Sequence, residues 1–269
     1  MTDVAYRYLE VTREGAVACC RMSNPPRHTL VAAELAELVR WVDEIETSEG
    51  VRVVVFTGAQ NGVFIAHYEV GELADSAERQ TGQAPRQGEA LHTFHRFLLR
   101  LQDAPFVTVA AINGNAAGGG FEFALGCDFR LAMDGEFRLG LPETSVGIIP
   151  GAGGTQRYAR LLGTARALDL VLHAQTLSPR EALSLGLVHR VFDENGFAGS
   201  VSAFAADLAG RAPIALAAAK RAIYQGVEGP LEAGLLIEQR EFARCMASED
   251  AATAMRSWLS GKLWEWKGR

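Results

Sequence analysis

Two glutamates lie beside glycine-rich backbone in otherwise apolar sequence, and they are the residues best suited to chemistry. Glu122 follows three consecutive glycines in the segment 113–128, NGNAAGGGFEFALGCD, and Glu143 precedes a second glycine-rich run at 151–154. Partial desolvation by apolar neighbours moves the pKa of a carboxyl group towards the working range. Such a pair can activate water or move a proton between carbons. Each glutamate alone has another explanation: a carboxylate stabilising a helix N-terminus, or an exposed loop residue.

The glycine triplet provides a second chemical feature. The β-branched run 107–112 predicts a buried strand, and the residues 121–125 after the triplet predict a helix. Gly118, Gly119 and Gly120 let the backbone approach a ligand closely, because no Cβ stands in the way. The N–H groups there have no intrahelical partner and lie at the positive end of the helix dipole. The segment therefore predicts a backbone donor site for an oxyanion next to Glu122.

Composition bounds the class of protein. The 269 residues are 48% hydrophobic and carry a formal net charge of −6, which gives no electrostatic reason to expect nucleic acid. We expect no membrane span, since no apolar run approaches about 20 residues, and no signal peptide at the N-terminus. The four cysteines, at 19, 20, 127 and 245, form no C-x-x-C pair. This pattern predicts reduced, structural cysteine in a cytoplasmic protein.

Several other chemistries fit poorly. The glycines at 114–120 lack the spacing of a dinucleotide-binding loop, and the run 151–155 ends in threonine without the lysine of a phosphate-binding loop. No G-x-S-x-G motif is present, which argues against a nucleophile-elbow hydrolase. His92 and His95 stand three residues apart on a predicted helix and could share a metal. With no third ligand evident, we predict no metal site and interpret both as partly exposed helix histidines.

The periodicities predict an α/β core followed by helices. Strands are expected at 4–11 and 16–22 (a hairpin), at 51–57, at 107–112, at 129–133 and 137–139 joined by a tight turn, and at 187–192. Helices are expected from about 31 to 46, at 91–101, 156–173, 179–185, 197–210, 213–225 and 231–260. The stretch from Asp75 to Gly88 has no apolar face and predicts a mobile surface loop. We divide the chain into a core at 1–195 and a helical region at 196–269, whose three tryptophans at 258–266 predict docking on another surface.

Both glutamate segments resemble those of a known family. Asn113-Gly114, the glycine triplet and Glu122, followed by Cys127-Asp128, resemble the central signature of the enoyl-CoA hydratase/isomerase (crotonase) superfamily. Pro142-Glu143, Gly147, Pro150 and the run to Thr155 match that family's second segment. The resemblance covers nearly the whole chain. It implies an α/β fold, a crotonase-like ββα superhelix with a C-terminal helical trimerisation region, in a homotrimer or dimer of trimers.

The resemblance also implies a substrate and roles for residues. The substrate is an acyl-CoA thioester, so CoA is part of the substrate and no separate cofactor is expected. The backbone N–H groups of Gly119 and Tyr68 form the oxyanion hole, and Glu122 and Glu143 act on one water molecule. Contacts to the CoA thioester are expected from these donors, from the segment before the first helix and from the flanking backbone, at Arg27, His28, Ala66, His67 and Gly118.

Two departures from the family pattern lie next to the predicted donor. His67 and Tyr68 stand where Gly-Ala is usual, which predicts a reshaped or narrowed acyl pocket, and strain at His67 if its φ is positive. We interpret the chain as an enoyl-CoA hydratase, with both glutamates favouring hydration. A Δ3,Δ2-enoyl-CoA isomerase, an acyl-CoA hydrolase and a non-catalytic acyl-CoA-binding relative remain alternatives; the acyl chain length is open.

Overall fold

Between residues 53 and 140, successive strands alternate between two β-sheets, which winds this part of the chain into repeated ββα turns. This computed structural model describes residues 5–84 and 90–269. One sheet has the order β1-β2-β3-β5-β7-β10 and the other the order β4-β6-β8-β9. The strands are β1 (Leu9–Glu14), β2 (Val17–Met22), β3 (Val53–Gly58), β4 (Gly62–Ile65), β5 (Val107–Ile112), β6 (Gly114–Ala117), β7 (Phe129–Met133), β8 (Leu139–Gly140), β9 (Thr176–Leu177) and β10 (Arg190–Phe192). The strand pairs β3/β4, β5/β6 and β7/β8 each place one strand in each sheet, which is the predicted ββα superhelix.

Helices follow or cover these turns. They are α1 (Ala32–Thr47), α2 (Val70–Gln80), α3 (Thr93–Asp103), α4 (Gly119–Leu125), α5 (Gly154–Leu162), α6 (Thr164–Leu172), α7 (Pro179–Ser184), α8 (Phe197–Ala209), α9 (Pro213–Gly226), α10 (Leu231–Met246) and α11 (Glu249–Leu259), with 3₁₀ turns at Glu143–Val146 and Glu194–Gly196. α1 buries the apolar stripe that its sequence spacing predicts, including Leu35, Leu38 and Val42.

The six-stranded sheet is parallel except for its first pair. β1 and β2 form the predicted antiparallel hairpin, with Leu9 opposite Met22, and the later strands pair in parallel. β3 and β5 are β-branched and buried on both faces, as expected for strands inside a parallel sheet. One face packs on the main core with α1, α3 and α4, and the other packs on α8.

A buried lysine ties the C-terminal helices to this core. Lys220 on α9 lies 2.8 Å from the Asp128 carboxylate and donates to the carbonyls of Leu101 and Phe106 at 2.6 and 2.8 Å. Arg52 similarly donates to the carbonyls of Ala209 and Trp266, both at 2.9 Å. The helical C-terminal region is therefore present and fastened to the sheet, while its separation as a unit at 196 stays a prediction.

The structure corrects three expectations. Part of the loop predicted from Asp75 to Gly88 is helix, because α2 runs to Gln80, and residues 85–89 lie outside the described part. α2 begins at a side-chain cap, Glu69 accepting from the Gly71 N–H, and buries none of its residues, so its few apolar side chains do not mark it as a core-facing helix.

The second correction concerns the predicted pairing of 129–133 with 137–139. β7 joins the six-stranded sheet and β8 joins the other, so the Asp134-Gly135 turn connects two sheets and does not close a hairpin. The third concerns two long helices. The helix predicted at 156–173 is broken at Gly163, and the helix predicted at 231–260 is broken at Ala247 and Ser248, whose hydroxyl caps α11 by accepting from the Ala251 N–H.

Within the described residues, no single helix is long and apolar enough to cross a membrane. The bent pair 194–209 and 213–226 reaches that length and hydropathy only when its two helices are counted together.

Candidate active site

Three parallel strands of the small sheet end at the same edge and deliver the segments of the site. β6 pairs in parallel with β4 and with β8. The chain leaves β4 into 66–69, leaves β6 into the glycine triplet and leaves β8 into Pro142 and Glu143. Since the carboxyl ends of parallel strands share one edge, segments far apart in sequence meet there. The predicted catalytic residues Glu122, Glu143, Tyr68 and Gly119 all line one cavity at this edge.

Glu122 is buried in the first turn of α4, with 2% of its surface exposed. Its Oε1 accepts two backbone hydrogen bonds, from the N–H groups of Ala152 and Gly154, both at 2.7 Å. Burial raises the pKa of this carboxyl, and the two donors and the Arg157 charge oppose that rise. With Oε1 held by the backbone, Oε2 is the oxygen left to act in the cavity.

Glu143 begins the 3₁₀ turn that follows Pro142 and is only partly exposed. Its Oε2 is buried and has no hydrogen-bond partner among the described residues. Burial, followed by the charge of Glu122, raises its pKa from the ordinary 4.5 to about 7. A carboxyl group with this pKa holds its proton for part of the time at neutral pH, so it can donate one. The two carboxyl groups are a coupled pair.

The Tyr68 N–H faces the glycine triplet because of how its segment is paired. The His67 carbonyl accepts from the Leu30 N–H at 2.9 Å. In a trans peptide the C=O and the following N–H point in opposite directions, so the Tyr68 N–H points away from Leu30. On that other side the Ala117 N–H donates to the Ala66 carbonyl at 3.0 Å. The segment 66–69 is thus hydrogen-bonded on both sides, with an isolated bridge between Leu30 and Tyr68, and the Tyr68 amide is directed at the start of α4.

Gly119 presents its own N–H by the same rule. The Gly118 carbonyl accepts from the Glu122 N–H at 2.9 Å, so the Gly119 N–H points out of the helix start. Within residues 5–84 and 90–269, neither this N–H nor that of Tyr68 has a protein acceptor. Two free donors on adjacent segments are suited to hold one oxyanion.

Close packing explains two of the glycines. A methyl group on Gly119 would lie 2.9 Å from the Tyr68 Cβ and 3.4 Å from the Tyr68 nitrogen, closer than a side chain allows. Gly118 has a φ of 51°, and a methyl group there would lie 3.0 Å from the Glu143 Oε1. Any side chain at 118 or 119 would therefore disturb the donors or the carboxylate.

The cavity has a volume of about 960 Å³ and two unlike walls. Val146, Ile148 and Ile149 form an apolar wall beyond Glu143. α2 contributes lining side chains that are mostly polar or charged, among them Glu72, Asp75 and Arg79. The cavity is large enough for a drug-sized ligand.

The two unusual residues take definite positions. The Tyr68 hydroxyl donates to the Glu72 carboxylate at 2.7 Å, which holds the ring along α2, and both residues line the cavity. His67 Nδ1 lies 2.7 Å from the Tyr68 carbonyl. Among the described non-glycine residues only His28 and Ala174 have a positive φ, so the strain predicted at His67 is absent.

The structure separates the expected substrate-binding residues into two groups. His67, Tyr68, Gly118 and Gly119 line the cavity, whereas Arg27, His28 and Ala66 do not. The Ala66 N–H donates to the His28 carbonyl at 2.9 Å, so both belong to the strand pairing that holds the donor segment. The exposed Arg27 lies 3.4 Å from the Glu69 carboxylate.

Sequence reasoning missed a third set of groups next to Glu122. His92 lines the cavity, its ring stacks on that of His95 at 3.8 Å, and its Nε2 lies 2.7 Å from the Gly151 carbonyl. Arg157 Nη1 donates to the Ala152 carbonyl at 3.1 Å. The glycine-rich run 151–154 is visible in the sequence as a possible source of backbone donors, but the sequence gives no sign that His92 contacts this run. No cluster of three metal-ligating side chains occurs in the described ranges.

Comparison with known proteins agrees with this geometry. The family model described as enoyl-CoA hydratase/isomerase matches residues 12–269. A short-chain-enoyl-CoA hydratase of Clostridium acetobutylicum is 34% identical over 248 residues, 92% of each chain. A mitochondrial methylglutaconyl-CoA hydratase of Rattus norvegicus is 32% identical over 99% of this chain and 84% of its own. The crystal structure of an enoyl-CoA hydratase from Geobacillus kaustophilus matches with a TM-score of 0.91 and 31% identity, covering 99% of this chain and 98% of that one.

Proposed function

The chain belongs to the enoyl-CoA hydratase/isomerase family, and we propose that it is an enoyl-CoA hydratase, which adds water across the 2,3 double bond of an enoyl-CoA thioester. One observation carries the choice of hydration: two carboxyl groups, Glu122 and Glu143, face the same cavity beside two free backbone donors. Hydration needs a base for water and an acid for carbon at once, and this site offers both.

The backbone donors stabilise the charge that develops on the substrate. As water adds at Cβ, negative charge moves to the thioester oxygen, which accepts from the N–H groups of Tyr68 and Gly119. Both peptides are fixed by bonds to their carbonyls, so they need no reorganisation during the reaction. Each such donor is worth about 3–4 kcal/mol of transition-state stabilisation.

The two glutamates divide the proton transfers. Glu122, held at Oε1 by two N–H groups, orients water and takes its proton at Oε2 while the water oxygen bonds to Cβ. Glu143, with a pKa of about 7, gives its proton to Cα. Proton exchange with solvent then returns the pair to its starting state.

CoA enters as part of the substrate, and no separate cofactor is needed. The residues beside the donor segment, Arg27, His28 and Ala66, lie outside the cavity, and we assign them to its surroundings. Arg27 is exposed and has one partner in the described residues, Glu69 at 3.4 Å, so it can turn to a CoA phosphate. His67, Tyr68, Gly118 and Gly119 contact the thioester end.

The first experiment incubates the protein with crotonyl-CoA and follows the loss of the enone absorbance. We expect turnover, reduced about 10²–10⁴-fold in both Glu122→Gln and Glu143→Gln, as for loss of a general acid or base. An unchanged rate in either variant would contradict the two-carboxylate mechanism. Conversion of a 3-enoyl-CoA to the 2-enoyl isomer without hydration would instead favour an isomerase, and tight binding without turnover would favour a non-catalytic relative.

We also propose a homotrimer or dimer of trimers working in the cytoplasm. The C-terminal helices expose large apolar side chains, such as Leu236, Phe242 and Trp258 at 64%, 64% and 72%. Apolar surface of this extent is typical of an interface. The four cysteines are free, which fits a reducing compartment. Light scattering on the purified protein tests the assembly, and a monomer at micromolar concentration would refute it.

A further inference from the structure

Four backbone N–H groups serve the site, and each belongs to a peptide whose carbonyl is held. The peptides that end in Tyr68 and Gly119 are held at their carbonyls by the N–H groups of Leu30 and Glu122. The peptide between Gly153 and Gly154 is held by the Arg157 N–H at 2.9 Å. The fourth peptide, which ends in Ala152, differs: a side chain, His92, holds its carbonyl.

The bond from His92 continues to Glu122 through one planar group. His92 Nε2 donates to the Gly151 carbonyl at 2.7 Å, and the N–H at the other end of the same peptide, that of Ala152, donates to the Glu122 Oε1 at 2.7 Å. A trans peptide is rigid and its two polar groups point in opposite directions, so fixing one fixes the other. Hydrogen bonds in such a chain also polarise and strengthen one another.

We propose that His92 is a positioning residue for Glu122, acting through the Gly151–Ala152 peptide; the proposal rests on the proposed hydratase function. His92 holds the Ala152 N–H on Oε1 and thereby keeps Oε2 directed at the water. Gly151 is exposed, and a methyl group built on it would meet nothing within 4 Å. Ala152, at the other end of the peptide, is buried, so the Gly151 carbonyl is the end that has little packing to restrain it once His92 is removed.

His92 is itself well placed for this task. It precedes α3 and stacks on His95 of that helix with ring centroids 3.8 Å apart and an interplanar angle of 29°. On the neighbouring peptide, Arg157 Nη1 donates to the Ala152 carbonyl. The loop that carries both Glu122 donors is thus held between α3 and α5, with the imidazole on its cavity side.

The kinetic test compares three variants. His92→Ala removes the donor, and His92→Gln offers a side-chain N–H to the same carbonyl. His173→Ala is a matched control that removes an exposed histidine whose ring is hydrogen-bonded to Asp169. We expect His92→Ala to lower kcat about tenfold, the effect of one hydrogen bond, with KM changed less than about twofold. His92→Gln should recover most of kcat, and His173→Ala should match the unaltered protein. A rise in KM at constant kcat would assign His92 to substrate contact and overturn the proposal.

Amide hydrogen exchange provides a readout that does not depend on turnover. We expect His92→Ala to exchange faster across residues 150–157, while residues 107–112 of β5 keep their protection. Should the unaltered protein fail to hydrate any enoyl-CoA, the proposed function is wrong, and exchange still decides the role of His92. Unchanged exchange across 150–157 in His92→Ala would overturn the positioning role even in an active enzyme.

Discussion

Replacing Glu143 by glutamine should stabilise the folded protein at alkaline pH while it removes activity. The Glu143 Oε2 is buried and has no hydrogen-bond partner in residues 5–84 and 90–269, and burial together with the charge of Glu122 raises the pKa of this carboxyl group to about 7. The folded state therefore carries a cost whenever this carboxyl group is ionised. Glutamine has nearly the same shape and no charge, so it avoids that cost at every pH.

The size of the effect follows from the pKa. A rise from 4.5 to about 7 corresponds to about 3.4 kcal/mol at 1.36 kcal/mol per unit. The carboxyl group borders an open cavity and is only partly buried, and solvent screening reduces this to about 1–2 kcal/mol. Well below pH 4.5 the Glu143 carboxyl group is protonated in both the folded and the unfolded protein, so its burial does not lower the free energy of unfolding. As the pH rises to about 7, the unfolded state loses its proton first, so the free energy of unfolding falls.

Urea unfolding at about pH 4 and about pH 9, at one fixed protein concentration, measures this difference. We expect the free energy of unfolding of Glu143→Gln, relative to the unaltered protein, to be about 1–2 kcal/mol larger at the higher pH. Glu78→Gln changes an exposed carboxylate on α2 and should show the same relative stability at both. An equal effect of Glu143→Gln at the two pH values would refute the desolvation of Glu143, and with it the reason for making it the proton donor.

Two further substitutions test the backbone donors and the attachment of the C-terminal helices. Gly119→Ala places a methyl group 2.9 Å from the Tyr68 Cβ and should lower kcat about 10²–10³-fold, the effect of losing one oxyanion donor, without unfolding the protein by circular dichroism. An unchanged kcat in Gly119→Ala would show that the segment 66–69 moves away from the added methyl group at little cost. Lys220→Met leaves Asp128 buried without its cation and should lower the free energy of unfolding by about 3–5 kcal/mol, measured in urea. Adding Asp128→Asn should restore part of that loss, and no restoration would contradict the ion-pair explanation.

The parts of the site that the sequence predicted are those built from local backbone. The strand 107–112, the glycine triplet and the following helix lie within one ββα turn, and their types and order are visible in composition and spacing. The convergence of Glu122 and Glu143 required the family resemblance, because β6 and β8 meet in a small sheet whose strands are too short to predict. β8 has only two residues, and its assignment to a separate sheet depends on pairing, not on its sequence.

The parts that the sequence could not predict depend on what an element faces. The apolar residues Val70 and Leu73 of α2 border the cavity, and none of the helix is buried, so α2 lacks the broad apolar face that identifies a core-facing helix. His92 contacts Gly151 across 59 residues, and neither residue carries a local signal of that contact. A histidine before a helix is equally compatible with solvent, which is how the sequence led us to interpret it.

The residues of the site therefore stand on two kinds of structure, one tightly packed and one loosely packed, and we expect the two to tolerate substitutions differently. Gly119 and Glu122 stand on α4, Glu143 on the 3₁₀ turn after β8, and the donors to Glu122 on the loop before α5. The donor peptides are fixed at their carbonyls, and a single methyl group has no room at Gly119. The α2 part of the cavity lining buries no side chain and is fastened at its start by the Glu69 cap and by the Tyr68–Glu72 bond. Because little packing opposes changes in α2, its cavity-facing residues can vary with the acyl group while the chemistry stays constant. Tyr68 belongs to both structures: its backbone N–H is one of the two rigidly held donors, and its ring is bonded to Glu72 of α2.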